Sequence, residues 1–512
     1  MRPFVRRPGN LATPGACQMY EFLLGLSVIV FLTVLVWYLK QPAASVFHPL
    51  TYYLAFHALV FVIRPIFAWY YDFRQMYDAI GFHPNVLEKS TVLICTNLAL
   101  VGFAISCIAV GRAPLSFRTP PGEDDRRTAL LRAYWPLAVV FFALGAWATF
   151  YLFSIADDWS EHRILDSKTG GSALVGVNGY FISLTALLPP TVAIIAYLGR
   201  FRTWTLLPFI IYAFVKLGTG GRGSVVAAAV ILALLYLFEK RRRWPGFVIV
   251  AVLIPGMLIF DAIGTDRGAA IRGMLGYEVE KTYIRERTDE KPLETMDLAN
   301  MEFFEYIVWT VPKRTGTFEY FVHNLQIFTE PIPRALWSGK PVGPPIRMFN
   351  LYRYGTPLGA TSSVPGQGWM SMGYVGVLVW SALFGLLYGY GYRVFSRSSG
   401  GSVAVIAYMV FAATSITAFR DGEIMTILKQ LQFYFVPVLG LYLVALYVSS
   451  TSSRGIGGAG TRLAGAGASA ARERRRRAMA VGHESAEVMD ASIPHNTGGP
   501  KARRLARLQQ AL

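Results

Sequence analysis

Long apolar segments constrain this chain more than any other feature of its sequence. Runs of about 20 mostly apolar residues recur along it, and this is the length that an α-helix needs to cross the core of a bilayer. Of 512 residues, 54% are hydrophobic and only 16% are charged, against about 25% charged in a soluble domain. This composition excludes a disordered chain and argues against a single water-soluble fold. The sequence predicts an all-α polytopic membrane protein.

About eleven membrane spans are predicted, within a range of about ten to twelve. They should be helices, because backbone polar groups in lipid need partners within their own segment and these runs do not alternate as barrel strands do. The predicted spans are 20–39, 50–71, 90–110, 134–155, 174–198, 203–217, 224–238, 245–263, 371–394, 402–419 and 425–448. They divide the chain into an N-terminal transmembrane bundle at 1–263, a large outer loop at 264–370, C-terminal transmembrane helices at 371–448 and a basic tail at 449–512.

Basic residues predict the orientation of the spans, because Lys and Arg are enriched in cytoplasmic loops. If the spans alternate, one side carries the basic clusters at 126–132, 200–202, 240–243 and 393–397 and the tail. That side is predicted to be cytoplasmic, so the large loop faces outward. An odd number of spans also places Arg2, Arg6 and Arg7 outside. Either the N-terminus is external, or the first three spans are miscounted.

The net charge of +18 has the same explanation, because basic loops and a basic tail are ordinary in membrane proteins. We therefore expect no nucleic-acid partner. The three cysteines show neither a disulfide framework nor zinc-ligand spacing, and no P-loop, dinucleotide-binding or metalloprotease motif is present. No cofactor and no metal are expected. The Gly-, Ala- and Arg-rich tail predicts a solvated, disordered segment.

The outer loop is rich in aromatic residues and should fold against the membrane. Apolar residues at 295–311 share one helical face, which predicts an interfacial helix. Charge is divided unevenly, with a net charge of −4 at 266–305 and of +4 at 313–353. An anionic ligand would prefer the second half, in which Arg314 is a candidate contact.

Two polar turns at outward span ends are candidates for chemistry. Arg222 lies in a Gly-rich turn at 218–224, where its planar guanidinium suits phosphate oxygens. The alternative is an arginine that snorkels to the interface. Arg420, Asp421 and Glu423 form either an internal ion pair that fixes a turn, or an anion-binding arginine with carboxylates that orient it or act as a base.

The stretch from His323 to Lys340 is a third candidate. Prolines within and after it bar a continuous long helix, so Arg334, Trp337 and Lys340 are expected on an ordered loop. Aromatic and basic side chains together suit a sugar phosphate. The alternative is a loop that Trp337 packs on the membrane.

His57 and Arg64 lie seven residues apart in the second predicted span and so share a helix face. In the simpler interpretation, Arg64 snorkels or pairs within the protein and His57 is a satisfied core residue. The functional alternative is an anion-binding role for Arg64.

Four segments resemble bacterial O-antigen and exopolysaccharide polymerases of the Wzy type, also called oligosaccharide repeat unit polymerases. TGGRGS at 219–224 is similar to a Thr-Gly-Ser-Arg-Gly pattern at an outward span end of these proteins. IPRALWSGKP at 332–341 is similar to a Pro-Arg-x-x-Trp-Pro-x-Lys-Pro segment of their large outer loop. VPGQGWMSMGYVGVLVW at 364–380 resembles the segment that leads into the next span, and FRDGE at 419–423 an Arg-Gly-Asp-like turn between the last spans.

The chain departs from the family pattern at three places. Gly221 and Ser338 stand where Ser and Pro are commoner, and Gln367-Gly368-Trp369 stands where a Gly-Glu pair is usual. The last difference leaves no carboxylate at that position to which a role can be transferred.

The resemblance implies a membrane glycosyltransferase of GT-C-like architecture that acts on the periplasmic face of the bacterial inner membrane. It would transfer a growing glycan from undecaprenyl diphosphate to the non-reducing end of a lipid-linked repeat unit, with inversion and without metal. Arg222, Arg334, Arg420 and Lys340 match basic positions of the family and would stabilise the diphosphate leaving group. A chain-length regulator and a flippase are the partners that the family implies.

The acceptor hydroxyl needs a general base. Asp421 and Glu423 rank above His323 for this role. The other predicted substrate-binding residues are Trp337, Arg314 and Arg64.

Other functions stay open. An O-antigen ligase uses similar parts, although the segment at 332–341 favours the polymerase. A flippase or transporter of lipid-linked oligosaccharides would also have many spans and buried arginines, but it needs no structured outer loop of about a hundred residues. A non-catalytic assembly subunit would tolerate the loss of Arg222 and Arg420 together.

Overall fold

A computed structural model describes most of the chain outside the basic tail. The described residues are 14–154, 163–165, 172–174, 183–218, 223–247, 291–295, 298–332, 336–337, 339–340, 344–356 and 361–450. The chain divides into two units, Met1–Leu446 and Tyr447–Leu512, and of the second only residues 447–450, the end of a helix, are described. All contacts described below lie within the first unit.

Helices make up most of the described chain. In chain order they are α1 (Pro14–Leu39), α2 (Pro49–Tyr71), α3 (Gln75–Ile80), α4 (Val86–Gly111), α5 (Glu123–Ser154), α6 (Thr185–Leu198), α7 (Thr203–Gly218), α8 (Gly223–Glu239), α9 (Asn300–Thr310), α10 (Gln326–Thr329), α11 (Ser363–Arg397), α12 (Ser402–Asp421) and α13 (Ile424–Ser450). Two short antiparallel strands, β1 (Arg163–Leu165) and β2 (Ser172–Leu174), form a hairpin after α5.

Seven helices are long and apolar enough to cross a membrane, namely α1, α2, α4, α5, α11, α12 and α13. Three shorter apolar helices, α6 to α8, lie where the spans at 174–198, 203–217 and 224–238 were predicted. The predicted span at 245–263 lies almost entirely outside the described residues. The prediction of a helical polytopic membrane protein is therefore confirmed, while the count of eleven spans stays a prediction.

Helix α1 shows why these segments need lipid. Large apolar side chains such as Phe22 and Ile29 are exposed on its outer surface. Only 22% of the most apolar 18-residue stretch of this helix is buried inside the protein. A soluble protein rarely leaves so much apolar surface in water, and a bilayer covers it.

The loops with the predicted cytoplasmic residues meet at one end of the helical bundle, here called the basic end (40–48, 112–122, 199–202 and 240–247). The backbone N–H of Val46 donates to the carbonyl of Arg243 at 2.9 Å. Arg200 pairs with Asp124 at 3.2 Å. Helix α1 ends at the basic end and α2 begins there, so these two helices run in opposite directions. Arg2, Arg6 and Arg7 lie outside the described residues, so both explanations for them stay open.

Helix α11 contains a chain reversal that the sequence did not predict. Met372 and Gly373 leave the helical conformation, with φ of −158° and 59°. The arm before this break folds back on the arm after it, and Gly368 and Gly376 bring the two backbones into contact. The first arm belongs to the region that was assigned to the outer loop. We call this feature, residues 363–380, the re-entrant hairpin.

Alanine at position 376 should disrupt the re-entrant hairpin. A Cβ atom there would overlap the carbonyl oxygen of Gly368, which is backbone and cannot rotate away. Overpacking of this kind costs about 1–3 kcal/mol or more. Gly25→Ala is the matched control, since a Cβ at Gly25 meets nothing within 4 Å and alanine favours a helix. The midpoint of thermal denaturation in detergent should be lower for Gly376→Ala than for wild type and unchanged for Gly25→Ala. Equal midpoints for the two variants would contradict the hairpin.

Helix α9 corrects the prediction of an interfacial helix. All of its residues except Trp309 are buried, including Glu302 and Glu305, so it is inserted among α2, α4 and the re-entrant hairpin. The hydroxyl of Tyr77 donates to Glu305 at 2.6 Å, and burial raises the pKa of Glu305 to about 7. The apolar stripe that suggested membrane contact in fact packs inside the protein.

Candidate functional site

Two carboxylates and an imidazole lie together at the end of the bundle opposite the basic end. His323 Nδ1 is 3.4 Å from Glu319 Oε1, and His323 Nε2 is 3.8 Å from Glu423 Oε1. Gln367 Nε2 donates to the second oxygen of Glu319 at 3.3 Å. We call Glu319, His323, Gln367 and Glu423 the acid–histidine cluster.

The tip of the re-entrant hairpin positions one side of this cluster. The N–H groups of Glu319 and Tyr320 donate to the carbonyls of Met370 and Ser371 at 2.8 and 3.0 Å. This pairing holds the carboxylate of Glu319 against the buried amide of Gln367. A carboxylate therefore lies beside position 367, where the sequence itself has none.

The turn between α12 and α13 positions the other side. Gly422 has a φ of 73°, and a Cβ there would overlap the backbone of Ser363. Trp380 Nε1 donates to the Gly422 carbonyl at 2.8 Å. Trp380 lies seven residues beyond Gly373, so this turn is about 10 Å below the tip of the hairpin. The cluster thus lies beside the hairpin, below its tip, and we call the cluster and the adjoining Arg420–Glu423 turn the recess.

Asn300, the first residue of α9, joins the floor of the recess. Its Nδ2 donates to the carbonyl of Arg420 at 2.8 Å and to the side chain of Thr361 at 2.6 Å. Ser362 Oγ donates to the carbonyl of Asp421 at 2.7 Å. These bonds fix the Arg420–Glu423 turn relative to the outer loop.

His323 is charged in this setting. Burial alone would lower its pKa, but its contacts with Glu319 and Glu423 outweigh burial and raise the pKa to about 10. An imidazolium has no lone pair with which to accept a proton. A charged His323 is a cation and a donor at neutral pH, which favours Asp421 and Glu423 over it as the general base.

The charged state of His323 predicts a pH-dependent stability. The folded pKa of about 10 lies above the ordinary value of 6.5, so the contribution is complete below pH 6.5 and is lost as the pH rises through about 10. A tenfold change in proton affinity corresponds to about 1.4 kcal/mol, so the free energy of unfolding should fall by a few kcal/mol across this window. His323→Gln should flatten the decline, whereas a change of the exposed His83 to Gln should leave it intact. Equal slopes for the two variants, measured by denaturation between pH 6.5 and 10, would refute the assignment.

The two carboxylates of the predicted turn differ in their surroundings. Asp421 is hydrogen-bonded to the side chain of Thr426 and lies in the electrostatic field of Arg420. The side chain of Glu423 is 36% exposed, against 12% for Glu319. Glu423 is therefore the cluster carboxylate that a substrate in the recess reaches most easily.

Lys340, predicted to bind the diphosphate, has partners within the protein. Its Nζ donates to the carbonyls of Glu330 and Ile332 at 2.9 and 3.1 Å and is 3.7 Å from the Glu330 carboxylate. Lys429 on α13 approaches the same carboxylate at 3.1 Å. Lys340 is thus held within its own loop, and Glu330 joins that loop to α13 through Lys429. Trp337, near Lys340, remains about one-third exposed.

The structure also gives internal partners to two other predicted substrate contacts. Arg64 is fully buried and donates to both oxygens of Glu302 and to the carbonyl of Leu293. Arg314 is stacked on the ring of Trp309, 3.5 Å from the centroid, and donates to its carbonyl. Arg64 matches the simpler interpretation of pairing within the protein and is no longer a candidate for binding substrate.

Arg222 and Arg334 lie outside the described residues, so their predicted roles are unchanged. His323 lies beside Glu423, and Arg420 and Asp421 belong to the same turn as Glu423. Glu319, Glu330 and Lys429 were missed. The spacing of Glu319 and His323, four residues apart, is the one signal by which Glu319 could have been found.

Comparisons of the chain with protein families, curated proteins and solved structures found no match. Within the described residues, no three His, Cys, Asp or Glu side chains are grouped so as to hold a metal ion. The groups that the recess offers for chemistry are its carboxylates, its imidazolium and Arg420.

Proposed function

We propose that the protein is a membrane glycosyltransferase that polymerises undecaprenyl-diphosphate-linked repeat units on the outer face of the bacterial inner membrane. The eleven spans and the GT-C-like architecture are part of this proposal. The acid–histidine cluster carries it: acid–base groups and Arg420 lie together in a recess at the end of long apolar helices. Two of the family-like segments, 364–380 and 419–423, form the walls of that recess.

Glu423 is the proposed general base. It accepts the proton of the acceptor hydroxyl as that oxygen attacks the anomeric carbon of the donor sugar. The bond from this carbon to the diphosphate oxygen breaks, and its electron pair leaves with the diphosphate. One displacement forms one glycosidic bond and inverts the configuration. His323, bound to Glu319, holds Glu423 in place through their 3.8 Å contact.

The diphosphate is proposed to lie against Arg420, with Arg222 and Arg334 as further cations. Charge develops on the diphosphate as the bond breaks, and fixed cations in a partly dry recess stabilise it more than water does. The described charged groups around the recess balance, with Arg420, His323, Lys340 and Lys429 against Glu319, Glu330, Asp421 and Glu423. Binding of the anionic diphosphate then depends on the cations that it can contact rather than on the net charge of the recess.

The test is elongation of polyprenyl-diphosphate-linked repeat units by the purified full-length protein, followed as a ladder on a gel with and without EDTA. Wild type should make a ladder in both conditions, and Arg420→Lys, which keeps the charge but loses the planar fork, should make little or none. The same protein in vesicles is tested for movement of the lipid. If the lipid crosses the vesicle membrane and no ladder forms, the protein is a transporter and the proposed polymerase activity is wrong.

A further inference from the structure

A second polar site lies at the basic end, far from the acid–histidine cluster. A cavity of about 250 Å³ opens between the loop before α5, the start of α5 and the end of α8. Its lining includes Phe117, Glu123, Arg127, Glu239 and Arg241. The proposed function uses none of these residues.

Glu123 brings an unmet acceptor to this cavity. Its side chain is only 4% exposed. Oε1 accepts hydrogen bonds from the N–H and the hydroxyl of Ser402 at 2.7 and 2.5 Å. Oε2 has no hydrogen-bond partner, and Arg126 Nη1 is 4.0 Å away. A buried carboxylate oxygen without a donor costs free energy, which a ligand N–H can recover.

Arg127 does not fill this need, because its guanidinium is already engaged. It donates to Glu239 Oε2 at 2.7 Å, to the Tyr197 hydroxyl at 2.6 Å and to Ser402 Oγ at 3.2 Å. Arg241 differs, since it is exposed and its Nη2 lies 3.5 Å from Thr119 Oγ1, a marginal hydrogen bond. The cavity therefore offers a buried anionic acceptor and an exposed guanidinium.

We propose that the cavity binds an aminoethyl phosphate headgroup, with the ammonium on Glu123 Oε2 and the phosphate on Arg241. An ammonium supplies three N–H donors, and a guanidinium suits phosphate oxygens. Helices α5 and α12 begin beside the cavity and α8 ends there, so it opens where apolar helices leave the bilayer. Phosphatidylethanolamine carries both an ammonium with N–H donors and a phosphate, and its headgroup lies where such helices leave the bilayer. The inference is independent of the proposed function.

The test is native mass spectrometry of the full-length protein, delipidated in detergent and titrated with phosphatidylethanolamine, phosphatidylcholine or phosphatidylglycerol of the same acyl chains. Phosphatidylethanolamine should bind about tenfold more tightly than phosphatidylcholine, whose ammonium has no N–H. Glu123→Gln should abolish this preference, because its amide oxygen can keep the Ser402 bonds while an NH₂ donor replaces the acceptor Oε2. Asp125→Asn, an exposed change two residues away, is the control and should keep the preference.

Arg241→Gln should weaken the binding of all three lipids and leave the preference for phosphatidylethanolamine over phosphatidylcholine unchanged. Displacement by soluble glycerophosphoethanolamine at millimolar concentration would assign the cavity to a free aminoalkyl phosphate, and retention of the lipid would assign it to the bilayer. Equal binding of the ethanolamine and choline lipids by wild type would overturn the proposal. A folded Glu123→Gln protein that retains the preference would overturn it as well.

Discussion

Glu302→Gln should destabilise the protein by about 3–5 kcal/mol, the cost of breaking a buried ion pair from one side. Arg64 is completely buried, and Glu302 binds it through Nε at 3.0 Å and Nη2 at 2.8 Å. Without the carboxylate, the guanidinium remains charged in a region that neither water nor another described carboxylate side chain reaches at hydrogen-bond distance. The free energy of unfolding, measured by denaturation of the purified protein in mixed micelles, should fall accordingly.

The structure supplies a matched control for this prediction. Arg74 and Asp72 are 2.7 Å apart, but both are exposed. Asp72→Asn should therefore cost no more than about 1 kcal/mol. The double variant Arg64→Met, Glu302→Met should recover most of the loss, since apolar residues of similar size often replace a buried pair without penalty. A double variant less stable than Glu302→Gln would contradict this account of the pair.

Glu423→Gln should lower the rate of chain elongation by about 10²–10⁴-fold, the usual contribution of a general base. Binding of the lipid-linked substrate should change little, because glutamine keeps the size and one acceptor oxygen of the side chain. Single-turnover rates with saturating substrate separate the chemical step from binding. Asp421→Asn should cost less, since its carboxylate is bound by Thr426.

The control for Glu423→Gln is a change at Asp78, an exposed carboxylate that, like Glu423, lies away from the basic end. Asp78→Asn should elongate glycan at the wild-type rate. If Glu423→Gln retained more than a tenth of the wild-type rate while remaining folded, Glu423 would not be the base. Loss of activity in Asp421→Asn alone would move the role to that residue.

The helices were predictable from the sequence because their signal is local. An apolar run of about 20 residues has few alternatives to a membrane helix, and the observed bounds of α1, α2 and α4 agree with the predicted spans to within a few residues. The re-entrant hairpin was not predictable by this rule. Its first arm, 363–371, is too short to register as a span, and its Gly and Pro residues suggest a loop.

The contacts of the site were harder to predict because they join distant parts of the chain. His323 and Glu423 were selected separately, and nothing local indicates that they meet. For Arg64, the sequence left snorkelling, pairing and anion binding open, because Glu302, its partner, is 238 residues away. The apolar face at 295–311 in turn suggested contact with the membrane, although it packs against other helices. Long-range pairing thus changed the interpretation of both segments.

The separation of Arg64 and Glu302 in the sequence affects how the protein is assembled during its synthesis. Helix α2 enters the membrane with Arg64 and without its counterion, because α9 is synthesised 238 residues later. At about 5–20 residues per second, this interval lasts roughly 10–50 s. During it, the nascent chain carries an uncompensated charge in the bilayer, and α9, with its two glutamates, cannot insert before that charge is in place. In a chain arrested before residue 302, Arg64 therefore lacks the carboxylate that pairs with it in the folded protein.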